Sequence, residues 1–438
     1  MDRTSQTYRD FVSILEEELV PAFGCTEPIA IALAAARARE LLGERPRDVV
    51  VEASGSIIKN VKSVVVPNTQ HLKGIPAAAA AGIVAGDPAR QLEVIATVTP
   101  EQSREIEEYL REAVFVVRPI VDGLLFDLVV TALTAEGRKA VVRIANHHTN
   151  IVYEELDGAV LKELDVTEDE HEGLTDRSEL TLPNIWDFVT SLDVEDVRPV
   201  LKRQIDYNMA IAEAGLKGDW GANVGSVLLD TYGDDVRTKA KAWAAAGSDA
   251  RMNGCELPVV INSRSGNQGI TVSVPVIVYA REYGADDDAL LRALALSNLT
   301  AIHQKDGIGR LSAFCGAVSA AAGAGAGIAY IVTKDYKHVI HTIVNTLAVV
   351  SGIVCDGAKA SCAAKIAAAV DSAILAFNMY VRGQQFRGGD GIVTKGVENT
   401  IGNINVLGRE GMKETNDVII RIMTETDGVA NLGPAARC

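Results

Sequence analysis

What this sequence lacks narrows its function before any motif is read. Basic charge is short: 42 Lys and Arg stand against 58 Asp and Glu, a net charge of −16. A nucleic-acid or anionic-membrane surface needs clustered Lys and Arg, so neither partner is expected. No block of like charge is long enough to form an interaction tail, and the densest acidic stretch is Glu163 to Glu172. The opening MDRTSQTYRD is polar and does not read as a signal peptide. Six cysteines in 438 residues are too few for a disulfide scaffold, which is normally short and Cys-dense. A reducing, cytoplasmic compartment is the expectation, where Cys is either a small buried hydrophobe or a chemical group. No P-loop is present, and no GxGxxG follows a strand pattern. The GAGAG at residues 323–327 lies inside a helical pattern and reads as close packing. Long hydrophobic runs are scarce too. Leu311 to Thr333 is uncharged over a membrane-spanning length, yet its Ala, Gly and Ser suit a buried helix of a soluble core.

What is present indicates two domains, because 438 residues exceed one ordinary core and 48% hydrophobic content is globular. Helical spacing at Tyr8, Phe11, Ile14 and Leu15 opens the chain, and Ala-rich Glu27 to Leu42 follows. The β-branched runs Asp48 to Ala53, Val61 to Val66 and Leu92 to Val98 predict strands, with a helix at Gly74 to Gly86 before the last of them and another at Glu101 to Glu112 after it. From Val114 to Leu161, short Val/Ile runs separated by Asp-Gly and Glu-Gly dipeptides predict antiparallel strands. Beyond Glu163 nearly everything is helical, including Leu311 to Val332, Val339 to Val354 and Ala358 to Tyr380. The expected class is α+β: a mixed α/β domain over residues 1–180, then a mostly α-helical domain over 181–438 that carries the chemistry.

Cys315 lies in RLSAFCGAVSAAAG, and Cys355 and Cys362 lie in SGIVCDGAKASCAAK. On one straight helix, residues seven apart stand about 10 Å apart along the axis, too far for thiolates of one compact cluster. Asp356-Gly357 is a natural break that would let both sulfurs turn to a common point. Spacing alone fits helix-packing cysteines at least as well as ligands, and the paired spacing usual for zinc is missing.

The strings PAFGCTEPIAIALAAA, SRSGNQGITVSVPV, LSAFCGA and IVCDGAKASCAAK, in this order, resemble the L-cysteine desulfidase family, itself related to the α chain of iron–sulfur L-serine dehydratases. The resemblance runs from Glu16 to about Met423. It implies a [4Fe–4S] enzyme without pyridoxal phosphate that converts L-cysteine to pyruvate, ammonia and sulfide. Three ligands that leave one iron open map onto Cys315, Cys355 and Cys362. The short spacing after Cys355 favours the desulfidase branch over L-serine dehydratase. A catalytically silent iron–sulfur or redox-sensing protein is the rival from another class.

β-Elimination needs a base at Cα. Cys25 is the candidate, since a thiol opening a helix has a lowered pKa; ligation of the cluster and plain packing are its alternatives. His148 of NHHTNIV is the second candidate base. Turns built from Ser54 and Ser56, with Asn60 beside them, and from Asn68 and Thr69 offer donors for the substrate's polar groups. A second loop, SGNQG, offers Asn267 and Gln268. Arg251 and Arg310 are left out of the site, because most arginines are structural. Cys255 has no assigned role, and Cys438 is a candidate cap for the open iron when substrate is absent. The expected partner is a small amino acid, L-cysteine or L-serine, and a homodimer is compatible with the sequence.

Overall fold

A computed structural model describes residues 1–120, 123–166, 174–309 and 312–424 of the chain. Its first half holds α1 (Gln6–Glu18), β1 (Pro21–Phe23), α2 (Thr26–Leu42), β2 (Asp48–Ser54), α3 (Gly55–Val61), α4 (Gly74–Ala85) and α5 (Pro100–Glu112), then β3 (Val114–Ile120), β4 (Asp127–Leu133), β5 (Lys139–Ala145), β6 (Ile151–Leu156) and β7 (Ala159–Glu163). Six of these strands form one sheet in the order β3-β2-β4-β5-β6-β7. Only β2 and β3 run parallel, because α3 to α5 lie between them; every other pair is antiparallel. The β6–β7 turn is Asp157-Gly158, with φ of 52° and 86°, the doubly left-handed geometry that Asp-Gly supplies. Along β2, buried Val49 and Val51 alternate with half-buried neighbours, so one face joins the core that α2 and α4 also fill. α2 and α4 are Ala-rich and almost wholly buried, which lets them pack closely against each other.

Two expected strands are absent. Residues 62–66 leave α3 as a loop with a single bridge, Val65 to Lys73. Leu92 to Val98 gives the end of a 3₁₀ turn (Pro88–Glu93) and further turns. In both segments the β-branched side chains, such as Val64, Val66, Val94 and Ile95, are fully buried without a ladder partner. The run marks burial rather than strand pairing.

The second half is helical, as the α+β class requires: α6 (Leu182–Ser191), α7 (Arg198–Lys217), α8 (Val224–Tyr232), α9 (Val236–Met252), α10 (Gly266–Glu282), α11 (Asp287–Ile308), α12 (Gly316–Thr333), α13 (Tyr336–Val350), α14 (Cys362–Val381), α15 (Val397–Val406) and α16 (Lys413–Thr424). One short strand, β8 (Pro258–Val260), pairs with β1 and stitches the halves together. α12 is the hub, packed against α10, α11, α13 and α14. α12 and α14 meet the length and apolarity of a membrane span, but 83% of the α12 window is buried inside the fold, which accounts for its composition. Two large apolar cores result. One lies under the sheet, around α2 and α4; the other fills the helical half. Residues 1–19 depart from the expected division, because α1 belongs to the helical core: Tyr8 and Phe11 pack edge-on against Phe188 of α6, with centroids 5.0 and 5.4 Å apart.

Candidate functional site

The ends of long helices meet where the two cores touch. Cys25 is the N-cap of α2, Ser265 the N-cap of α10, Cys315 the N-cap of α12, and Cys362 the first residue of α14. All four line one cavity of about 1030 Å3, its open mouth included. Helix N-termini carry partial positive charge, so their convergence favours anionic groups in the space between them.

The cysteine segments are held by their own backbone. Cys315 N–H donates to the Ile353 carbonyl at 3.1 Å, and Cys355 N–H to the Ala313 carbonyl at 2.6 Å. These bonds pair residues 313–315 with 353–355 as a minimal antiparallel ladder. The required break is present: α13 stops at Val350 and α14 starts at Cys362. Cys355 therefore lies in an extended strip, not at a helix end as expected, and Cys315 precedes its helix rather than sitting inside it. Gly357 makes the turn with φ of 94°, and a Cβ there would lie 2.3 Å from the Lys59 carbonyl of α3. Only glycine fits that approach. Asp356 ties the loop together by ion pairs to Lys359 and Lys365, and Lys365 Nζ also donates to the Val354 carbonyl at 2.9 Å.

Cys315, Cys355 and Cys362 are each partly exposed to the cavity. Burial, then the neighbouring Cys355 and Cys362 sulfurs, pushes the Cys315 thiol up to about 12. Burial and Cys355 raise Cys362 in the same direction. Three sulfurs this close repel one another as thiolates, so a bound cation is what would hold them deprotonated. Among the described residues no three His, Cys, Asp or Glu side chains close on a point that one metal ion could occupy. A multi-iron cluster is less demanding, because each cysteine binds a different iron and the sulfurs stay further apart. A donor set of three soft sulfurs without a carboxylate or imidazole among them fits such a cluster.

Facing the cysteines is a polar wall. Glu27, in the first turn of α2, accepts at Oε2 from the Cys25 thiol (3.2 Å) and the Thr26 hydroxyl (3.1 Å), and at Oε1 from Asn60 Nδ2 (2.8 Å). Burial alone would raise the Glu27 carboxyl, but His148 and these hydrogen bonds outweigh it and hold it below its ordinary range. His148 packs edge-on to Phe126, 4.6 Å between centroids. The helix N-terminus does not lower the Cys25 thiol as expected: complete burial and adjacent Glu27 push it well up, so it rests protonated and donates.

Of the residues singled out from sequence, Cys25, Asn60, His148, Asn267, Gln268, Cys315, Cys355 and Cys362 share the cavity wall. Ser54, Ser56, Asn68 and Thr69 do not. Ser54 donates to the Leu125 carbonyl at 2.8 Å, Asn68 to the Ile95 and Ala96 carbonyls, and Thr69 to the Val66 carbonyl at 2.7 Å. Ser56 is buried within α3. Their polarity serves the loops' own backbone, which a turn-forming composition cannot distinguish from ligand binding. Asn267 and Gln268 stand in the first turn of α10, not in a loop, and the Gln268 amide lies where a Cβ on Gly316 would be. Cys255 is buried in the helical core, away from the cavity. Cys438 and Arg310 lie outside the described residues.

Sequence reasoning passed over Glu27, Lys59, Arg251 and Lys305, all of which line the cavity. Arg251 is 4% exposed; Nη1 donates to Asn267 Oδ1 at 3.2 Å and Nη2 to the Gly24 carbonyl at 2.9 Å. Lys59 is 2% exposed and donates to Asn416 Oδ1 at 2.9 Å and the Cys355 carbonyl at 3.4 Å. Among the described residues neither has a carboxylate partner within ion-pair distance. Their signal was weak, since an isolated Arg or Lys in a helix is ordinarily a surface group.

Comparison with known proteins gives the chain's family. A family model for the serine dehydratase alpha chain matches residues 89–421, a span that includes His148, Arg251, Asn267, Gln268 and the three cavity cysteines but not Cys25. A UPF0597 protein of Desulfitobacterium hafniense is 56% identical over 97% of this chain and 98% of its own length. UPF0597 proteins of Lachnoclostridium phytofermentans and Treponema denticola are 53% and 45% identical, over 95% and 97% of this chain and 99% of each relative. The chain is thus a member of the UPF0597 family and belongs with the serine dehydratase alpha chains.

Proposed function

We propose that the chain is an iron–sulfur lyase that removes the β-substituent of a small amino acid, with L-cysteine as substrate and pyruvate, ammonia and hydrogen sulfide as products. The observation that carries this reading is the convergence of Cys315, Cys355 and Cys362 on one cavity beside the buried guanidinium of Arg251. Relatives with the serine dehydratase alpha chain use iron–sulfur clusters, and the three-sulfur donor set here suits a [4Fe–4S] cluster with one open iron. When bound, the cluster would supply a Lewis acid for the charge on the departing group.

The chain's own residues account for the rest. Arg251 commits two of its five N–H donors to Asn267 and Gly24, and the others are available for a substrate carboxylate. Cys25 is the base at Cα, with His148 the second candidate. Cys25 rests protonated against Glu27 Oε2 at 3.2 Å, so Sγ must lose that proton before it can act as the base. Loss of the Cα proton and of the β-sulfur, which keeps the C–S electron pair, leaves an enamine. Water converts that enamine to pyruvate and ammonia.

L-Serine is the second reading, favoured by the serine dehydratase alpha-chain match. Anaerobically reconstituted protein decides between them: sulfide with pyruvate from L-cysteine supports the first, and pyruvate from L-serine at equal or higher kcat/KM supports the second.

A further inference from the structure

The cavity is lined by groups of both signs. Arg251, Lys59 and four helix N-termini bring positive charge to it. Glu27 and Asn60 bring acceptors. Asn60 donates its Nδ2 to Glu27 Oε1 at 2.8 Å, which fixes the amide orientation and turns Oδ1 away from Glu27. That Oδ1 is buried and has no hydrogen-bond partner, on a side chain only 9% exposed that lines the cavity. A buried carbonyl oxygen without a donor is destabilising, so the position favours a ligand that brings an N–H. This acceptor stands beside a carboxylate whose Oε2 is committed to Cys25 and Thr26, while Oε1 has accepted one bond and has capacity for another. An acceptor pair of this kind, one anionic and one neutral, matches a primary ammonium with its three donors.

We infer that Glu27 Oε1 and Asn60 Oδ1 bind the α-ammonium of the substrate and make the cavity selective for α-amino acids over amine-free analogues. This deepens the lyase reading and rests on it for the identity of the amino acid. Arg251 takes the carboxylate, so a zwitterion enters the cavity in one orientation. An analogue without the amine leaves Asn60 Oδ1 unpaired and the Glu27 charge uncompensated, the kind of loss that discriminates strongly between otherwise similar ligands.

The test uses anaerobically reconstituted full-length protein and three ligands: L-cysteine, 3-mercaptopropionate and 2-hydroxy-3-mercaptopropionate. Calorimetric Kd values for wild-type protein are expected to be at least about 10-fold weaker for both analogues than for L-cysteine. Asn60→Ala is expected to raise the Kd and KM for L-cysteine about 10-fold while leaving the Kd of 3-mercaptopropionate within about twofold. Equal wild-type affinity for the three ligands overturns the inference without needing a variant. So does an Asn60→Ala protein, with iron content and Tm retained, that weakens all three alike or lowers kcat alone. Amine-dependent binding of L-cysteine without any pyruvate formed sustains this inference and removes the lyase reading. Pyruvate formation with amine-independent binding does the reverse.

Discussion

At the scale of single residues, burial decides more of the chemistry here than sequence position does. Cys25 has the location of an activated thiol, the N-cap of a 17-residue helix, yet burial and Glu27 keep it protonated. Cys255→Ala and Cys355→Ala separate packing cysteines from cavity cysteines. Cys355→Ala is expected to lower bound iron after anaerobic reconstitution and to reduce turnover at least about 100-fold, whereas Cys255→Ala leaves iron content unchanged, both read by iron and sulfide assay. Asp249 of α9 offers a stability readout outside the cavity lining. It is fully buried, accepts the Gly225 N–H at 3.1 Å, and burial pushes its carboxyl up to about 6 from 3.8. The folded state therefore binds this proton more tightly than the unfolded state. Its contribution is complete below about pH 3.8 and is lost as pH rises through about 6. Asp249→Asn keeps an acceptor for Gly225 and cannot ionise. It is expected to be more stable than wild type at pH 7.5, by on the order of 3 kcal/mol, and to lose most of that advantage at pH 4.5 in urea titrations.

The residues legible from sequence were those whose type already names their chemistry. Cysteines, His148 and the Asn267-Gln268 pair could be picked out and do share the cavity. Lys59 and Arg251 could not, because their roles depend on being buried without the usual ion partner; Glu27 could not, because its role depends on the Cys25, Thr26 and Asn60 donors that the fold brings to it. The Ser54 and Asn68-Thr69 turns erred the opposite way: their donors are consumed by nearby carbonyls.

At the scale of elements, helix periodicity and Asp-Gly turns were reliable because each follows from local geometry. The run TVSVPVIV in α10 is β-branched and still helical, since the tertiary environment buries the helix almost all round. The strip 313–315 with 353–355 has no sequence signature at all, because it consists of two hydrogen bonds between segments about forty residues apart. Gly357→Ala tests how the strip is held. Its added Cβ meets backbone, Lys59 O at 2.3 Å, at a φ of 94°, whereas a Cβ on Gly316 meets the Gln268 side chain, which can move. Gly357→Ala is expected to lose most bound iron with helical circular dichroism intact, and Gly316→Ala to retain more of it. Equal iron retention by the two variants contradicts this account of the loop.

At the scale of the whole molecule, the cavity exists because two cores are joined rather than appended. β1 pairs with β8, α1 crosses into the helical core, and Lys59 of α3 reaches both the Cys355 carbonyl and Asn416 of α16. A division at residue 180 follows the change of pattern in the sequence but misses α1, whose amphipathic spacing says that it must be covered and not by what. Phe188→Ala should cost about 3–5 kcal/mol and destabilise α1 together with the helical half, as hydrogen exchange at Phe11 to Leu15 and along α7 would report. The central claim is that three cysteines from this joined structure hold a catalytic cluster. Anaerobic reconstitution followed by iron and acid-labile sulfide analysis, then addition of L-cysteine, measures it directly. The account predicts about four irons per chain, an absorption change on adding L-cysteine, and pyruvate released with sulfide in equal amounts. Iron-free protein after anaerobic reconstitution, or iron-loaded protein that yields no pyruvate from either L-cysteine or L-serine, would contradict it.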